Sequence, residues 1–368
     1  MAALIAGLAV LLLVVGPTAD AKQPLTVDVV TGVNYNGSPG TTLNLYVPKF
    51  SGKSKLPLVI WSNGCAWLLP NCGTGGTDGI AAEFNPQGYA VAGVGVAGTL
   101  TLPSPPFPAP QAFPTQLYDV RAAIRWLRQN ASTYNLDPDR FAIMGFSSGG
   151  WTAVIAGTTS DEAALPGEPN TNGLSSGVSS AVQAVVGFSS PTDFLQMDQW
   201  HVDHPSVPDA IVHDAPLVPL PAPPPPWGFP AASPESLLVR CTDGVSLFGI
   251  QHQSATLDCR AKTRAANPIT YVEGSEASTL LLHGFVDPLV PHGQSELLYE
   301  ALAAAGNEVT FISVASAGHS PEQIRNGEGI TVYHTDRLGR ETIKDRPDPT
   351  WRTIEHFIHV ALKNARGG

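Results

Sequence analysis

The chain has 368 residues, and 20 Lys and Arg stand against 31 Asp and Glu, a net charge of −11. No basic field is present to hold a phosphate backbone, which argues against a nucleic-acid partner. Apolar residues reach 43% and charged ones only 14%, so a large core is available and disorder is disfavoured.

At the amino terminus, Ala2 to Val15 is apolar and uncharged. It is shorter than the roughly 20 residues a spanning helix needs. Gly16-Pro17 ends the run, and Ala19-Asp20-Ala21 offers the small residues a signal peptidase accepts. We read residues 1–21 as an export signal cleaved after Ala21, with an uncleaved anchor as the alternative. After cleavage, residues 22–368 form one domain with no stable membrane insertion, secreted or periplasmic.

Leu25–Val30 and Thr42–Val47 alternate as strands do, and Leu56–Trp61 is the continuous apolar run of a buried strand. A short helix is expected near Ile80–Phe84, then a buried strand over Tyr89–Val96, then a proline-studded loop over Pro103–Pro114. Val120, Ala123, Ile124 and Leu127 fall at helical spacing, with Arg121, Arg125 and Arg128 elsewhere on the cylinder. Asn135–Asp139 reads as a turn, Phe141–Phe146 as a strand, Ser148–Gly157 as a helix and Ala181–Phe188 as a strand. Thr279–Leu282 and Val309–Val314 are further strands. Between them lies a helix that turns Leu297, Leu298, Ala301 and Leu302 inward and is closed by Gly306. Thr331–Tyr333 and Glu341–Ile343 suit a hairpin. A last helix carries Ile354, Phe357, Ile358, Ala361 and Leu362 on one face. Strands alternating with helices imply parallel crossovers and a sheet covered on both sides.

One stretch breaks this rhythm. Pro221 and Pro223–Pro226 sit in a segment where proline density precludes helix and central strand. Residues of about 194–267 therefore read as an insertion over one end of the sheet, either a rigid surface loop or a lid or substrate wall. Trp200, Trp227 and Phe229 beside it suggest an apolar or aromatic substrate.

The sharpest local pattern is Gly145-Phe146-Ser147-Ser148-Gly149, which fits G-x-S-x-G between a strand and a helix. A serine hydroxyl is a weak nucleophile and must stand on a tight turn where a base can reach it. Ser148, at the helix start, would offer its N–H to a developing oxyanion. An acid and a histidine should then follow in chain order. Asp287 lies just beyond a strand, with Asp193 as the rival acid. His319 lies just after the Val309–Val314 strand. His283 and His292 flank the acid loop as packing or hydrogen-bonded residues. His201 and His204 read as a solvated loop rather than a metal site, and His356 and His359 as structural or exposed residues of the last helix. The loop Ser62-Asn63-Gly64-Cys65-Ala66-Trp67 follows the third strand, where a second oxyanion donor usually arises; Gly64 gives its backbone freedom to aim N–H groups inward, and Trp67 either walls the acyl site or packs.

Four cysteines fall as two close pairs, and local closure favours Cys65–Cys72 and Cys241–Cys259 among the three possible pairings. An oxidised Cys65 is a poor nucleophile candidate. Asn36-Gly37-Ser38 and Asn130-Ala131-Ser132 are glycosylation triplets.

These pieces resemble the α/β-hydrolases, in particular secreted serine esterases of the bifunctional deacetylase/feruloyl esterase type. The resemblance rests on Asp119–Leu127, Asp137–Phe141, Gly145–Gly150, His283–Pro291 and Gly318-His319, in family order over about residues 40–320. It implies an α/β fold with an eight-stranded, mostly parallel sheet, helices on both faces and the insertion after strand 6. It also implies a Ser147-Asp287-His319 triad, with oxyanion donors from Ser148 and from Gly64 to Ala66. Many relatives carry His-Gly-Gly-Gly-Trp where this chain has Asn63-Gly64-Cys65-Ala66-Trp67.

The function expected is a secreted serine carboxylic ester hydrolase (a carboxylesterase) that passes through an acyl-enzyme, needs no metal or organic cofactor and takes a small-molecule or polymer-linked ester. A prolyl-oligopeptidase-type peptidase shares the triad order but usually carries a propeller in front, and only Lys22 to about Lys55 precedes the core. A non-catalytic binding relative is a third reading. Oligomeric state is left open.

Overall fold

Strands that are apolar on both faces need cover on both faces, and this chain provides it with a sheet between two helical layers. A computed structural model describes residues 26–38, 40–50, 54–100, 111–159, 165–210, 233–240, 257–344 and 348–365. Residues 1–21, read as an export signal, Pro221, Pro223–Pro226, Trp227, Phe229, Cys241 and most of the Pro103–Pro114 loop lie outside the described residues.

The strands are β1 (Thr26–Asn34), β2 (Thr42–Lys49), β3 (Leu56–Ser62), β4 (Ala90–Val94), β5 (Leu136–Phe146), β6 (Ala184–Phe188), β7 (Ser278–Gly284), β8 (Val309–Val314), β9 (Ile330–Thr335) and β10 (Glu341–Lys344). The helices are α1 (Thr77–Phe84), α2 (Thr115–Gln129), α3 (Ser148–Thr158), α4 (Met197–Asp203), α5 (Pro234–Val239), α6 (Leu257–Ala266), α7 (Gly293–Ala304), α8 (Pro321–Asn326) and α9 (Trp351–Asn364).

The sheet order is β1-β2-β4-β3-β5-β6-β7-β8-β9-β10. The central run from β4 to β8 is parallel, and antiparallel pairs close both sides. Among the described residues it has ten strands rather than the eight that the resemblance implies, and the hairpin read near Thr331 and Glu341 supplies β9 and β10. One face is covered by α1, α8 and α9 through Ile80, Phe84, Ile324, Ile354 and Ile358. The other is covered by α2, α3 and α7 through Val120, Leu127, Trp151, Leu298 and Leu302, and α5 and α6 join this side through Leu238 and Ala266. Among the described residues, no helix is long and apolar enough to cross a membrane.

Two local expectations change. Asn135–Asp139 is not a free-standing turn: Leu136 is buried and pairs with Leu56, and the register against β3 resumes only at Phe141 opposite Leu58. The residues between form a bulge that includes Pro138, which has no N–H to donate to a ladder. In α7, Leu297 and Ala301 are only half-buried, while Gln294 and Ser295 face inward. In α2, Arg121 and Arg125, which lie off the apolar stripe, are nonetheless fully buried.

Those two guanidinium groups are held by a distant carboxylate. Arg121 Nε lies 3.1 Å and Arg125 Nη2 2.5 Å from Glu168 Oε1, and Arg121 also donates to the Thr159 carbonyl. Arg128 packs over the Phe141 ring and donates to the Pro138 and Ala181 carbonyls. The same helix presents buried Asp119, which accepts from Ala97 N–H at 2.9 Å and from Asn36 Nδ2 at 2.8 Å. Burial pushes this carboxyl up to about 7, against the pull of those two donors. The amide nitrogens of both glycosylation triplets have internal acceptors, Asn36 at Asp119 and Asn130 at the Trp126 carbonyl.

Two outcomes follow for stability. Glu168→Gln leaves two buried cations without their shared carboxylate and should cost about 3–5 kcal/mol in denaturant unfolding. Asp119 holds its proton more tightly folded than unfolded. Its contribution is therefore full below about pH 4 and declines as pH rises to about 7. Asp119→Asn should flatten the melting-temperature profile over that window, and an unchanged slope would assign the dependence to other groups.

Candidate active site

The carboxyl ends of β5, β7 and β8 share one edge of the sheet, because the three strands run parallel in register. β5 stops at Phe146, Ser147 takes φ 57° and ψ −126°, and α3 begins at Ser148. That backbone conformation costs a residue with a Cβ about 1–3 kcal/mol, so the surroundings must hold it. They do so through contacts that only glycine permits. A Cβ on Gly145 would lie 2.0 Å from the Gly149 carbonyl oxygen, and one on Gly149 2.0 Å from the Ser62 carbonyl oxygen. One on Gly64 would lie 2.5 Å from Ser147 Cβ. The Gly64 loop and the serine turn are in direct backbone contact.

Ser147, Asp287 and His319, chosen from three separate segments, lie together. His319 Nε2 is 3.0 Å from Ser147 Oγ, and His319 Nδ1 is 2.7 Å from Asp287 Oδ2. A carboxylate only accepts, so Nδ1 carries the proton and Nε2 presents its lone pair to the serine O–H. The Phe146 ring sits beside the imidazole, 4.6 Å between centroids.

Asp287 is fully buried. Its Oδ1 accepts the Leu289 and Val290 N–H groups at 2.9 and 3.0 Å. Burial alone would raise its pKa. The nearby His319, and hydrogen bonding and charge from His283, hold the carboxyl well below the usual carboxylate range. His283 Nε2 donates to the Val290 carbonyl at 2.9 Å and lies 3.4 Å from Asp287 Oδ2, while its Nδ1 meets Ser295 Oγ at 2.7 Å. The loop that carries the acid is thus tied down by a second histidine. Sequence reasoning gave His283 packing or hydrogen bonding, but not this tie to Asp287, although its spacing of four residues from Asp287 was visible.

The rival acid is engaged elsewhere. Asp193 accepts from Leu195 N–H, Asn267 Nδ2 and Gln196 Nε2 at 3.0, 2.6 and 2.6 Å. Gln294 of α7 braces the same turn through the Thr192 and Asp193 N–H groups. His292 bonds Ser313 Oγ, and burial pulls its pKa down. His201 is buried, not solvated as expected, and it packs edge-on to Trp200 while His204 stacks on that ring. Trp200 itself lies among His204, Phe285 and His292, not on the cleft. His356 and His359 are exposed on α9.

A cleft of about 370 Å³ opens over Ser147 and His319. Gly64 to Leu69 form one wall, Leu289 and Val290 another, and Pro234 and Glu235 of the insertion a third. Trp67 lines it while packing edge-on against Trp151 and Phe194. Of the oxyanion candidates, Gly64, Ala66 and Ser148 line the cleft. Cys65 also lines it, but its N–H is engaged at Ser148 Oγ, 2.9 Å away. Sequence reasoning could not anticipate this, since it depends on a side-chain hydroxyl 83 residues distant. The Cys65–Cys72 disulfide closes the loop. Cys259 is disulfide-bonded and buried, and Cys241 lies outside the described residues.

A mostly parallel sheet with helices on both faces and a serine turn at a strand end define the α/β-hydrolase fold. The chain belongs to the BD-FAE family, whose model matches residues 43–216 and 247–302. Esterase LipQ of Mycobacterium tuberculosis is 26% identical over 210 residues, 56% of this chain and 39% of that protein. Esterase LipC of the same organism is 25% identical over 291 residues, 78% of this chain and 58% of that protein. The chain thus spans less than two thirds of either relative. A solved structure described as a truncated form of carbohydrate esterase from gut microbiota aligns with TM-score 0.63 at 24% identity, covering 91% of this chain and 96% of that one. The likeness concerns the fold.

Opening the Cys65–Cys72 bridge should loosen the wall that carries Gly64 to Leu69. The double variant Cys65→Ser, Cys72→Ser is expected to lose roughly 2 kcal/mol of stability. Hydrogen exchange should rise first in residues 63–73. Exchange unchanged there would mean that the loop is held by its backbone contacts alone.

Proposed function

We propose that the protein is an exported serine carboxylic ester hydrolase that works through an acyl-enzyme on Ser147. The observation that carries this reading is the unbroken chain Ser147 Oγ–His319 Nε2–His319 Nδ1–Asp287 Oδ2, at 3.0 and 2.7 Å, facing an open cleft. Ser147 attacks the ester carbonyl carbon as His319 Nε2 takes its proton. Asp287, kept ionised, fixes the imidazole tautomer and stabilises the imidazolium. The tetrahedral oxygen is received by the Ser148 N–H at the start of α3 and by the Gly64–Ala66 loop. His319 returns the proton to the leaving alcohol, and water repeats the sequence to release the acid. None of these steps calls on a metal or an organic cofactor.

Membership of the BD-FAE family supports ester chemistry, as do the two esterase relatives. The apolar wall of Trp67, Leu68, Leu69, Phe146, Leu289 and Val290 suits an uncharged acyl or alcohol group. Export through cleavage after Ala21 accords with the Cys65–Cys72 disulfide, since such bonds persist in oxidising compartments. Residues 22–368 would then act as one catalytic domain, with the insertion contributing to the cleft.

The test compares chromogenic acyl esters with aminoacyl amides on purified protein. Esters should turn over and amides should not, and Ser147→Ala should cut kcat by roughly 10⁴-fold or more. A fluorophosphonate should tag Ser147. Amide cleavage would favour the peptidase reading, and turnover retained in Ser147→Ala, or a tag on another residue, would overturn the mechanism.

A further inference from the structure

The residue after the nucleophile carries a side chain that the mechanism above does not use. The Ser148 hydroxyl is buried and accepts the Cys65 N–H at 2.9 Å. Cys65 opens a turn in which Leu68 N–H returns to the Cys65 carbonyl at 3.0 Å. Its two central residues, Ala66 and Trp67, have φ of 54° and 57°. In a turn of this hand the bonded groups belong to the first and last residues, so the central N–H groups point away from the closing bond. Beyond the turn, Thr99 and Leu100 N–H groups donate to the Trp67 and Leu68 carbonyls, which leaves the turn little freedom on that side. The disulfide fixes the loop at Cys65 and Cys72. What joins this loop by a hydrogen bond to the helix bearing the nucleophile is the Ser148–Cys65 contact.

We infer that the Ser148 hydroxyl is a positioning group for the oxyanion site: it engages the Cys65 N–H and so sets the Ala66 N–H beside the Ser148 N–H as the working donor pair. This rests on the esterase reading of Ser147. The division of labour has a physical basis. The Ser148 N–H belongs to α3 and moves with Ser147, whereas Ala66 belongs to a separate loop after β3. Two donors on different elements stabilise one oxygen only if their separation is fixed beforehand. A neutral hydrogen bond between the elements does this within one residue of both donors.

The experiment compares Ser148→Ala and Ser148→Thr with the parent enzyme in three measurements. The first is amide hydrogen exchange at Cys65, which reports the contact whether or not the chain hydrolyses esters. It should speed up in Ser148→Ala and stay slow in Ser148→Thr, which keeps a γ-oxygen. The second is steady-state turnover of a chromogenic ester, where kcat should fall roughly three- to tenfold in Ser148→Ala with KM within twofold. The third is inhibition by a trifluoromethyl ketone, whose tetrahedral adduct carries the oxyanion; its affinity should weaken by the same factor. Fluorophosphonate tagging of Ser147 should persist in both variants. Parental exchange at Cys65 in Ser148→Ala would overturn the inference. So would faster exchange with undiminished kcat and ketone affinity, or an equal loss in both variants. Loss of the tag from the parent protein would instead count against the Ser147 reading.

Discussion

The site depends on a backbone contact too close for any side chain. The serine turn holds a positive φ at Ser147 because Gly145 and Gly149 touch across the turn and Gly149 lies on the Ser62 carbonyl. Gly64 meets Ser147 from the other side. Three elements therefore meet through four short backbone stretches, and their spacing is set by sterics rather than by adjustable side chains. The end of β3, the end of β5 and the start of α3 become one rigid piece. The strain at Ser147 is small against the several contacts that would have to part to relieve it.

The other half of the site adds hydrogen bonds to a contact of the same kind. Asp287 and His319 sit on loops after β7 and β8, and a Cβ on Gly284 would lie 2.2 Å from the Ala317 carbonyl oxygen. Hydrogen bonds do the rest of the holding. Asp287 uses Oδ1 for two backbone N–H groups of its own loop and Oδ2 for His319, with His283 nearby. A fully buried carboxylate would ordinarily take up a proton; this one is held ionised by two imidazoles and the backbone donors. His283 is in turn fixed by Ser295 on α7, the helix whose inward polar residues also brace the Thr192–Asp193 turn. Rigidity at Ser147 and electrostatics at Asp287 meet at one imidazole, held by both at distances of 3.0 and 2.7 Å.

Much of this was legible in the sequence because it is written in short-range patterns. The G-x-S-x-G turn carries its own glycines, and the strands before Asp287 and His319 are unbroken apolar runs, so each chosen residue falls at the same sheet edge. Long-range pairing is not written that way. Arg121 and Arg125 sit off the apolar stripe of α2 and look solvent-facing. Glu168, more than forty residues on, gives both a buried counter-charge, and the Thr159 carbonyl takes a further bond from Arg121. Gln294 and Ser295 break the apolar pattern expected of α7 because their partners are backbone groups of β6's following turn and the imidazole of His283. The hairpin of β9 and β10 was legible, but its place at the end of the main sheet was not: β10 is exposed along its whole length, so no hydrophobic face ties it to the rest.

On the proposed esterase reading, chemistry and selectivity come from different parts of the chain. The cleft's floor and two walls, from the Gly64–Leu69 loop, the serine turn and the Asp287 loop, are built on ends of parallel strands and share their rigidity. Its remaining wall, Pro234 and Glu235, comes from α5 within the insertion, which touches the core through Leu238 and the Phe113 N–H to Leu238 carbonyl bond. Changes in the insertion can therefore reshape what enters without moving Ser147, His319 or Asp287, whereas a change at Gly64, Gly145 or Gly149 alters the reacting geometry itself. The buried Glu235 carboxylate beside an otherwise apolar wall is the clearest instance. It lines the cleft, yet it belongs to an element the serine turn does not need for its own shape.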